Sequence, residues 1–176
     1  MPNWCDNTLT IRGNKETIQK FIESSVEVED NKQTWLRLGK LHPAPEEDWY
    51  DWRIANWGCK WECEIYNMDV TDEYAKIYFS SPWSPPCEWI DFVSKRFFPD
   101  LHFRLSFIET GVWFCGMIEG QNGNFEGTQG EIITTDEDGI VVEFDSDQML
   151  YRYTSGSKDY LDEDFTPQCH NSCDYE

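Results

Sequence analysis

The sequence has few basic residues for its length. Among 176 residues there are 14 lysines and arginines, 34 aspartates and glutamates and three histidines, which gives a formal net charge of −20. A surface of this sign repels nucleic acid and anionic membranes and attracts basic proteins. We therefore expect a basic protein as the partner, with no direct binding to nucleic acid and none to a membrane.

Long apolar runs and a secretory pattern are also lacking. No apolar stretch approaches the ~20 residues that span a bilayer, and no basic segment followed by an apolar one opens the chain. The seven cysteines are an odd number without a disulfide framework, which is typical of free thiols in a reducing compartment. We expect a cytoplasmic protein.

Recognisable catalytic motifs are absent from the sequence. It contains no Gly-x-Ser-x-Gly, phosphate-binding loop or His-Glu-x-x-His pattern. His42 precedes a proline, His102 begins a predicted strand and His170 lies near the C-terminus. We expect no catalytic residues and no cofactor.

The hydrophobic periodicity predicts alternating strands and helices. Strands are expected at 3–12, 59–66, 74–79 and 103–107, and helices at 15–26 and 85–97, with Ser84 as N-cap of the second. This order is the split βαβ arrangement of a ferredoxin-like α+β sandwich, in which helices cover one face of an antiparallel sheet. A Trp-rich insertion at 27–58 contains a polar loop over 27–34, a short strand at 35–38 and a helix over 46–56.

Four tryptophans crowd the segment from Trp49 to Trp61. After Gly58 the period becomes two, which places Trp61 with Cys59, Cys63 and Ile65 on the inner face of a strand. Trp57 and Trp61 are a candidate ligand platform, because their rings could stack on a sugar or a base. Packing in the core explains both tryptophans without assuming a ligand, and we favour this interpretation.

The last third of the chain is strongly acidic. Residues 121–176 hold 14 acids and two bases. Two short apolar runs joined across Asp138-Gly139 predict a hairpin, and 149–153 predicts a further strand. We therefore divide the chain into a core at 1–120 and an acidic, mainly β extension with a mobile tail at 121–176.

Three patterns suggest metal ions, and none is convincing. Cys59 and Cys63 would lie ~13 Å apart on a strand, too far to share a zinc ion, whereas the cluster Cys169, His170 and Cys173 offers only three ligands. Asp136-Glu137-Asp138-Gly139 suggests a calcium loop that would run from Thr134 to Asp145, but a hairpin turn accounts for the same residues. We expect no bound metal.

An ordered series of short motifs resembles the YubB ferredoxin-like domain family over roughly residues 2–120. The motifs are Pro2-Asn3-Trp4-Cys5-Asp6-Asn7, Asn56-Trp57-Gly58-Cys59-Lys60-Trp61, Trp83-Ser84-Pro85-Pro86 and Phe98-Pro99. The resemblance implies a small protein carried by bacteriophages, plasmids or other mobile elements, without an established enzymatic activity.

These observations favour a non-enzymatic accessory protein that binds a host protein in the host cytoplasm. Its carboxylates could imitate the phosphates of nucleic acid and so inhibit a host defence or DNA-handling system. The candidate partner-binding residues are Asp136, Glu137, Asp138, Glu143, Asp145 and Asp147. Simple solubility is an equal explanation of the charge, and a small-ligand or carbohydrate module using the tryptophans is the alternative function.

Overall fold

The computed structural model describes residues 3–29, 32–136, 139–144 and 149–153, and from residue 130 onward it describes the backbone alone. Within these ranges the chain forms ten strands and four helices. The strands are β1 (Trp4–Arg12), β2 (Val26–Val28), β3 (Thr34–Leu36), β4 (Cys63–Val70), β5 (Tyr74–Pro82), β6 (His102–Glu109), β7 (Phe114–Gln121), β8 (Asn124–Asp136), β9 (Gly139–Phe144) and β10 (Met149–Tyr153). The helices are α1 (Lys15–Ser25), α2 (Leu38–Leu41), α3 (Trp49–Trp57) and α4 (Cys87–Arg96). None of these helices is long and apolar enough to cross a bilayer.

All described strands belong to one antiparallel sheet in the order β10-β9-β8-β7-β6-β1-β5-β4-β3-β2. Its middle, β6-β1-β5-β4, is connected through α1 and α4 as the split βαβ arrangement requires. The predicted ferredoxin-like sandwich is therefore present. The sheet continues beyond it on both sides, with the hairpin β2–β3 on one flank and β7 to β10 on the other.

The main core lies between this central sheet and its helices. Leu9 and Ile11 of β1 are fully buried together with Phe21 of α1 and Trp89 of α4. Phe21 is at the centre, because its ring makes edge contacts with Trp89, Phe98 and Phe103 at centroid distances of 6.3, 5.4 and 5.7 Å. Such perpendicular pairs stabilise a core beyond the area they bury.

Local signals in the sequence set the limits of the helices. The Asn14 side chain accepts a hydrogen bond from the backbone N–H of Thr17 at 2.9 Å and caps α1. At the end of α3, Gly58 adopts a left-handed conformation with φ of 84°, and its N–H donates to the carbonyl of Ile54.

The insertion departs from the prediction in its first part. Val26–Val28, expected at the end of a helix and in a polar loop, forms β2 and pairs with β3. Arg37 holds this hairpin through ion pairs with Glu27 at 3.3 Å and with Glu29. The segment therefore forms a strand because it pairs with β3, although its polar composition predicts a loop.

The strand predicted from residue 59 begins only at Cys63, where it pairs with Leu36 of β3. Residues 58–61 are bends instead, and the Glu62 carboxylate accepts hydrogen bonds from the backbone N–H groups of Leu38 and Gly39. Cys59, Cys63 and Ile65 are buried as predicted, but Trp61 is only half-buried. The prediction that Trp61 is a core residue was wrong.

The start of α4 also differs from the prediction. The helix begins at Cys87 with Pro86 in the capping position and no side-chain cap. Ser84, predicted as the N-cap, instead donates its hydroxyl to the carbonyl of Gly58 and so ties the end of β5 to the end of α3.

The C-terminal strands extend the same sheet. β7 pairs with β8 from Phe114↔Glu131 to Gln121↔Asn124, and β8 pairs with β9 around a register shift between Ile132 and Thr134. The two runs predicted as a hairpin fall in β8 and β9, and 149–153 is β10. The division of the chain at residue 120 stays a prediction.

Candidate functional site

Trp57, half of the predicted ligand platform, is completely buried. Its indole N–H donates to the carbonyl of His42 at 2.8 Å, and its ring packs edge-on against Trp52 at 6.3 Å. No face of this ring is open to a sugar or a base. Trp57 therefore serves the core, the favoured of the two interpretations, and it is not available as a ligand platform.

Trp61, the other half, belongs to a different arrangement. The ammonium group of Lys60 lies over three aromatic rings, at 5.3 Å from the centroid of Tyr50, 4.7 Å from Trp61 and 4.8 Å from Trp83. We call Tyr50, Trp61 and Trp83 the aromatic cage. Each distance is within the ~6 Å at which a cation is attracted to the face of a ring.

Three separate elements supply the cage. Tyr50 is in the first turn of α3, Trp61 is in the bend before β4, and Trp83 follows β5. Trp83 has a φ of 71°, a conformation that is uncommon for a bulky residue, and its backbone N–H donates to the carbonyl of Asn3 at 2.9 Å. The surrounding structure thus holds this ring in place.

A second cation–π stack lies along α3. The guanidinium of Arg53 is 4.9 Å from the ring centroid of Trp49 and 4.6 Å from that of Trp57. One nitrogen of Arg53 donates to the carbonyl of Lys60 at 3.5 Å, which links the two stacks. Both basic residues of this region are therefore held against aromatic rings.

Exposed apolar side chains cluster at the same end of the sheet. Trp4 is opposite Pro82 in the β1–β5 ladder, and Trp83 is bonded to the residue before Trp4. The turn between β6 and β7 is beside them, because a Cβ atom at Gly111 would meet the side chain of Asn3. We call the exposed set at this end the sheet-end patch: Trp4, Trp49, Tyr50, Trp83, Val112 and Trp113.

The β6–β7 turn is built to present its part of the patch. Glu109 is buried, and its carboxylate accepts hydrogen bonds from the backbone N–H groups of Gly111 and Val112. Trp113 follows with a φ of 66° and remains 44% exposed. Strained backbone at an exposed aromatic residue is a feature that clusters at binding sites.

A separate cleft of about 480 Å³ contains polar groups. Its lining includes His42, Asn56, Cys87, Glu88 and Asp91. Burial raises the pKa of the Cys87 thiol to about 12, with Glu88 and Cys59 adding to the effect. The thiol is thus protonated at neutral pH, and in this state it is a poor nucleophile.

His42 in this cleft should remain neutral under mildly acidic conditions. Its ring stacks on Phe92 at 3.6 Å, and burial lowers its pKa from the ordinary value of 6.5. The unfolded chain takes up a proton as the pH falls below that value, whereas the folded protein does so only at lower pH. Stability should therefore fall between about pH 7.5 and about pH 5.5 by more in the parent than in His42→Asn.

Denaturant unfolding of both proteins at the two pH values measures this difference. Titration of the His42 ring followed by NMR gives its pKa in the folded protein directly. A midpoint above the ordinary value would contradict the prediction.

Comparison with known proteins assigns the chain to a family. The model of the family described as "Ferredoxin-like domain in Api92-like protein" matches residues 60–154, more than half of the chain. The chain belongs to this family. No curated protein and no solved structure matches it.

The Api92-like ferredoxin match runs from just before β4 through β10 and supports the fold described above. The family is related to the one that the tryptophan motifs resemble but has a different name, so the YubB assignment is not confirmed. Trp61 and Trp83 of the cage lie in the matched part, whereas Tyr50 lies before it.

The cysteines of this Api92-like chain are free where the structure describes them. Residues 58–61 are bends and not strand, so the ~13 Å separation that an extended strand imposes does not apply to Cys59 and Cys63. The thiol of Cys59 donates to the carbonyl of Trp61 at 3.5 Å. The described residues nevertheless contain no group of three or more potential metal ligands, and Cys169, His170 and Cys173 lie outside them.

The acidic residues predicted to bind the partner fall largely outside the described part. Asp136 ends β8 opposite Gly139, and Glu143 in β9 is opposite Glu131. Glu137, Asp138, Asp145 and Asp147 lie outside the described residues.

The site that the structure does show was missed by sequence reasoning. Tyr50, Lys60 and Trp83 have no common periodicity, and only the packing of α3 against the end of β5 brings them together. The available signal is the density of tryptophans beside Lys60.

Proposed function

We propose that this chain is a non-enzymatic accessory protein of a phage or plasmid that binds a basic protein of the host cell. The observation that carries the proposal is the sheet-end patch, since six large apolar side chains are exposed together on a chain with a net charge of −20. Contiguous exposed aromatic side chains with polar surroundings are typical of protein-binding surfaces. The resemblance to the YubB family supports the mobile-element source.

Charge and aromatic rings have different roles in this proposal. The carboxylates of this chain select a basic surface on the host protein and speed the encounter. The aromatic side chains that become buried on binding supply most of the binding energy. The acidic segment after residue 120 would compete with nucleic acid for a basic groove, which makes the protein an inhibitor of a host defence or DNA-handling system. No active site is required for that action.

The small-ligand alternative has less support. A carbohydrate platform needs open and roughly parallel ring faces, but Trp57 is buried and the ammonium of Lys60 lies over Trp61. The patch accommodates a macromolecular partner better.

Neutralising the acidic segment tests the proposed function. The variant changes Asp136, Glu137, Asp138, Glu143, Asp145 and Asp147 to Asn or Gln. Its association rate with a host protein captured by the parent should fall about tenfold or more at low salt, because charge steers the encounter. The rate should also depend less on salt, since the screening length is ~8 Å at physiological ionic strength.

A control of equal charge uses six acids of the ferredoxin-like core. Glu16, Glu23, Asp72, Glu73, Asp91 and Asp100 are all exposed, and their neutralisation changes the net charge by the same amount. This control should bind faster than the test variant. Equal rates and equal salt slopes for parent and test variant would end the mimicry hypothesis.

A further inference from the structure

Resting on this proposed function, we infer that the aromatic cage is a binding site for a lysine ammonium of the partner protein, and that Lys60 occupies it in the free protein. The three ring centroids lie 4.7–5.3 Å from a single point, the nitrogen of Lys60. Rings arranged around a point accommodate a compact cation rather than a flat ligand.

The resident cation is held in a way that allows exchange. Lys60 has no ion pair with any carboxylate in the part of the chain that the structure describes. Among the described residues its ammonium lies over three ring faces, and a second ammonium can form the same contacts. The flexible lysine side chain can leave the cage by rotation about its own bonds.

The cage is accessible and its rings are held in position before binding. Tyr50 is 39% exposed and Trp83 is 38% exposed, and their rings contact each other at 6.4 Å. The left-handed backbone of Trp83 and its hydrogen bond to Asn3 fix one wall. Rigid aromatic walls lower the entropic cost of binding.

Charge complementarity identifies the class of partner. Glu46, Glu47, Asp48 and Asp51 are all exposed and flank Tyr50 in the chain. These four carboxylates attract a positively charged protein surface to the mouth of the cage. The guanidinium of Arg53 lies elsewhere, 4.9 Å from the ring centroid of Trp49 and 4.6 Å from that of Trp57. The cage surrounds a single point, and a compact lysine ammonium is the cation that suits it.

Removing the resident cation should make the cage available to an added one. The probe is tetramethylammonium, and its binding to Lys60→Met is followed by NMR of the tryptophan indole N–H groups. We expect a dissociation constant about tenfold lower than that of the parent, because the parent must first release Lys60. Lys60→Gln serves as a second neutral variant if Lys60→Met does not fold.

Two further variants separate a cation site from a simple cavity. Lys60→Arg keeps a cation in the cage and should bind the probe as weakly as the parent. Trp83→Leu combined with Lys60→Met removes one wall of the cage, and this double variant should bind tetramethylammonium no better than the parent. Tyr50→Leu combined with Lys60→Met provides the same test at another wall. The uncharged molecule tert-butanol, of similar size, should not bind measurably.

The outcomes distinguish this inference from the proposed function. If the neutral variants bind tetramethylammonium no better than the parent, or bind tert-butanol equally well, the cage is not a cation site. If salt-dependent capture of a host protein persists in that case, the proposed function stands without the cage. If the probe binds as expected and Trp61→Leu, which alters the cage but not the sheet-end patch, also weakens the captured complex about tenfold, the partner's lysine uses the cage; unchanged affinity overturns that assignment.

Discussion

Replacing Trp57 with alanine should lower the free energy of unfolding by about 3–5 kcal/mol, the largest loss expected from truncating a single side chain here. The ring is completely buried among Trp52, Arg53 and the α2 region, and its N–H bonds the carbonyl of His42. Truncation leaves a cavity that the rigid surroundings cannot fill and one backbone carbonyl without its donor.

Trp61→Ala is the matched control, because it removes the same atoms four residues away. Trp61 is only half-buried, and the ammonium of Lys60 lies 4.7 Å from the centroid of its ring. We expect its loss to cost well under half as much as that of Trp57. Denaturant unfolding of both variants decides the matter, and equal losses would mean that Trp61 belongs to the core after all.

Trp57 and Trp61 show which aspects of burial the hydrophobic pattern predicts and which it does not. The alternation of Cys63 and Ile65 correctly indicated a buried face, since period two reports which side chains of a strand point inward. It could not report where the strand starts. That limit is set by the pairing of Cys63 with Leu36, a partner 27 positions away in the chain, and by the carboxylate of Glu62 bonded to Leu38 and Gly39.

The ferredoxin-like middle of the sheet was predictable for a related reason. α1, β5 and α4 each show a periodicity of their own, and the order of such elements selects one topology. Ile18 and Phe21 recur at helical spacing and are buried, as are Ala75, Ile77 and Phe79 at strand spacing. Helical spacing from Val93 also predicts a buried Phe97, but α4 ends at Arg96, and Phe97 is exposed whereas Ile90 is buried.

The aromatic cage was beyond sequence reasoning because it depends on contacts between distant segments. Tyr50 and Trp83 are 33 positions apart, and neither lies on a face defined by an apolar stripe. Trp83 also adopts a backbone conformation that no propensity would assign to tryptophan. Sites of this kind arise where tertiary packing overrides local preference.

The connection between α3 and α4 depends on Gly58, and Gly58→Ala should destabilise the fold by about 2–5 kcal/mol. Its φ of 84° alone costs an alanine ~1–2 kcal/mol. In addition, a Cβ atom at this position would lie 2.7 Å from the carbonyl oxygen of Pro85 and 2.1 Å from a carboxylate oxygen of Glu88. The Glu88 side chain can rotate away, but the Pro85 carbonyl can move only if the end of β5 shifts from α3.

Gly123→Ala separates the two contributions. Gly123 also has a left-handed backbone, with φ of 71°, but the three atoms nearest to its added Cβ all belong to the side chain of Lys95, at 2.9–3.3 Å, and none of them is a backbone atom. This variant should therefore show the backbone term of ~1–2 kcal/mol and little more. Thermal or denaturant unfolding of the two variants gives the difference, which we assign to displacement of the Pro85 carbonyl. The same displacement would move Trp83, two residues before Pro85, so Gly58→Ala should also change the indole N–H resonance of Trp83. Equal losses in the two variants, with that resonance unmoved, would show that α3 and the end of β5 do not need this close contact.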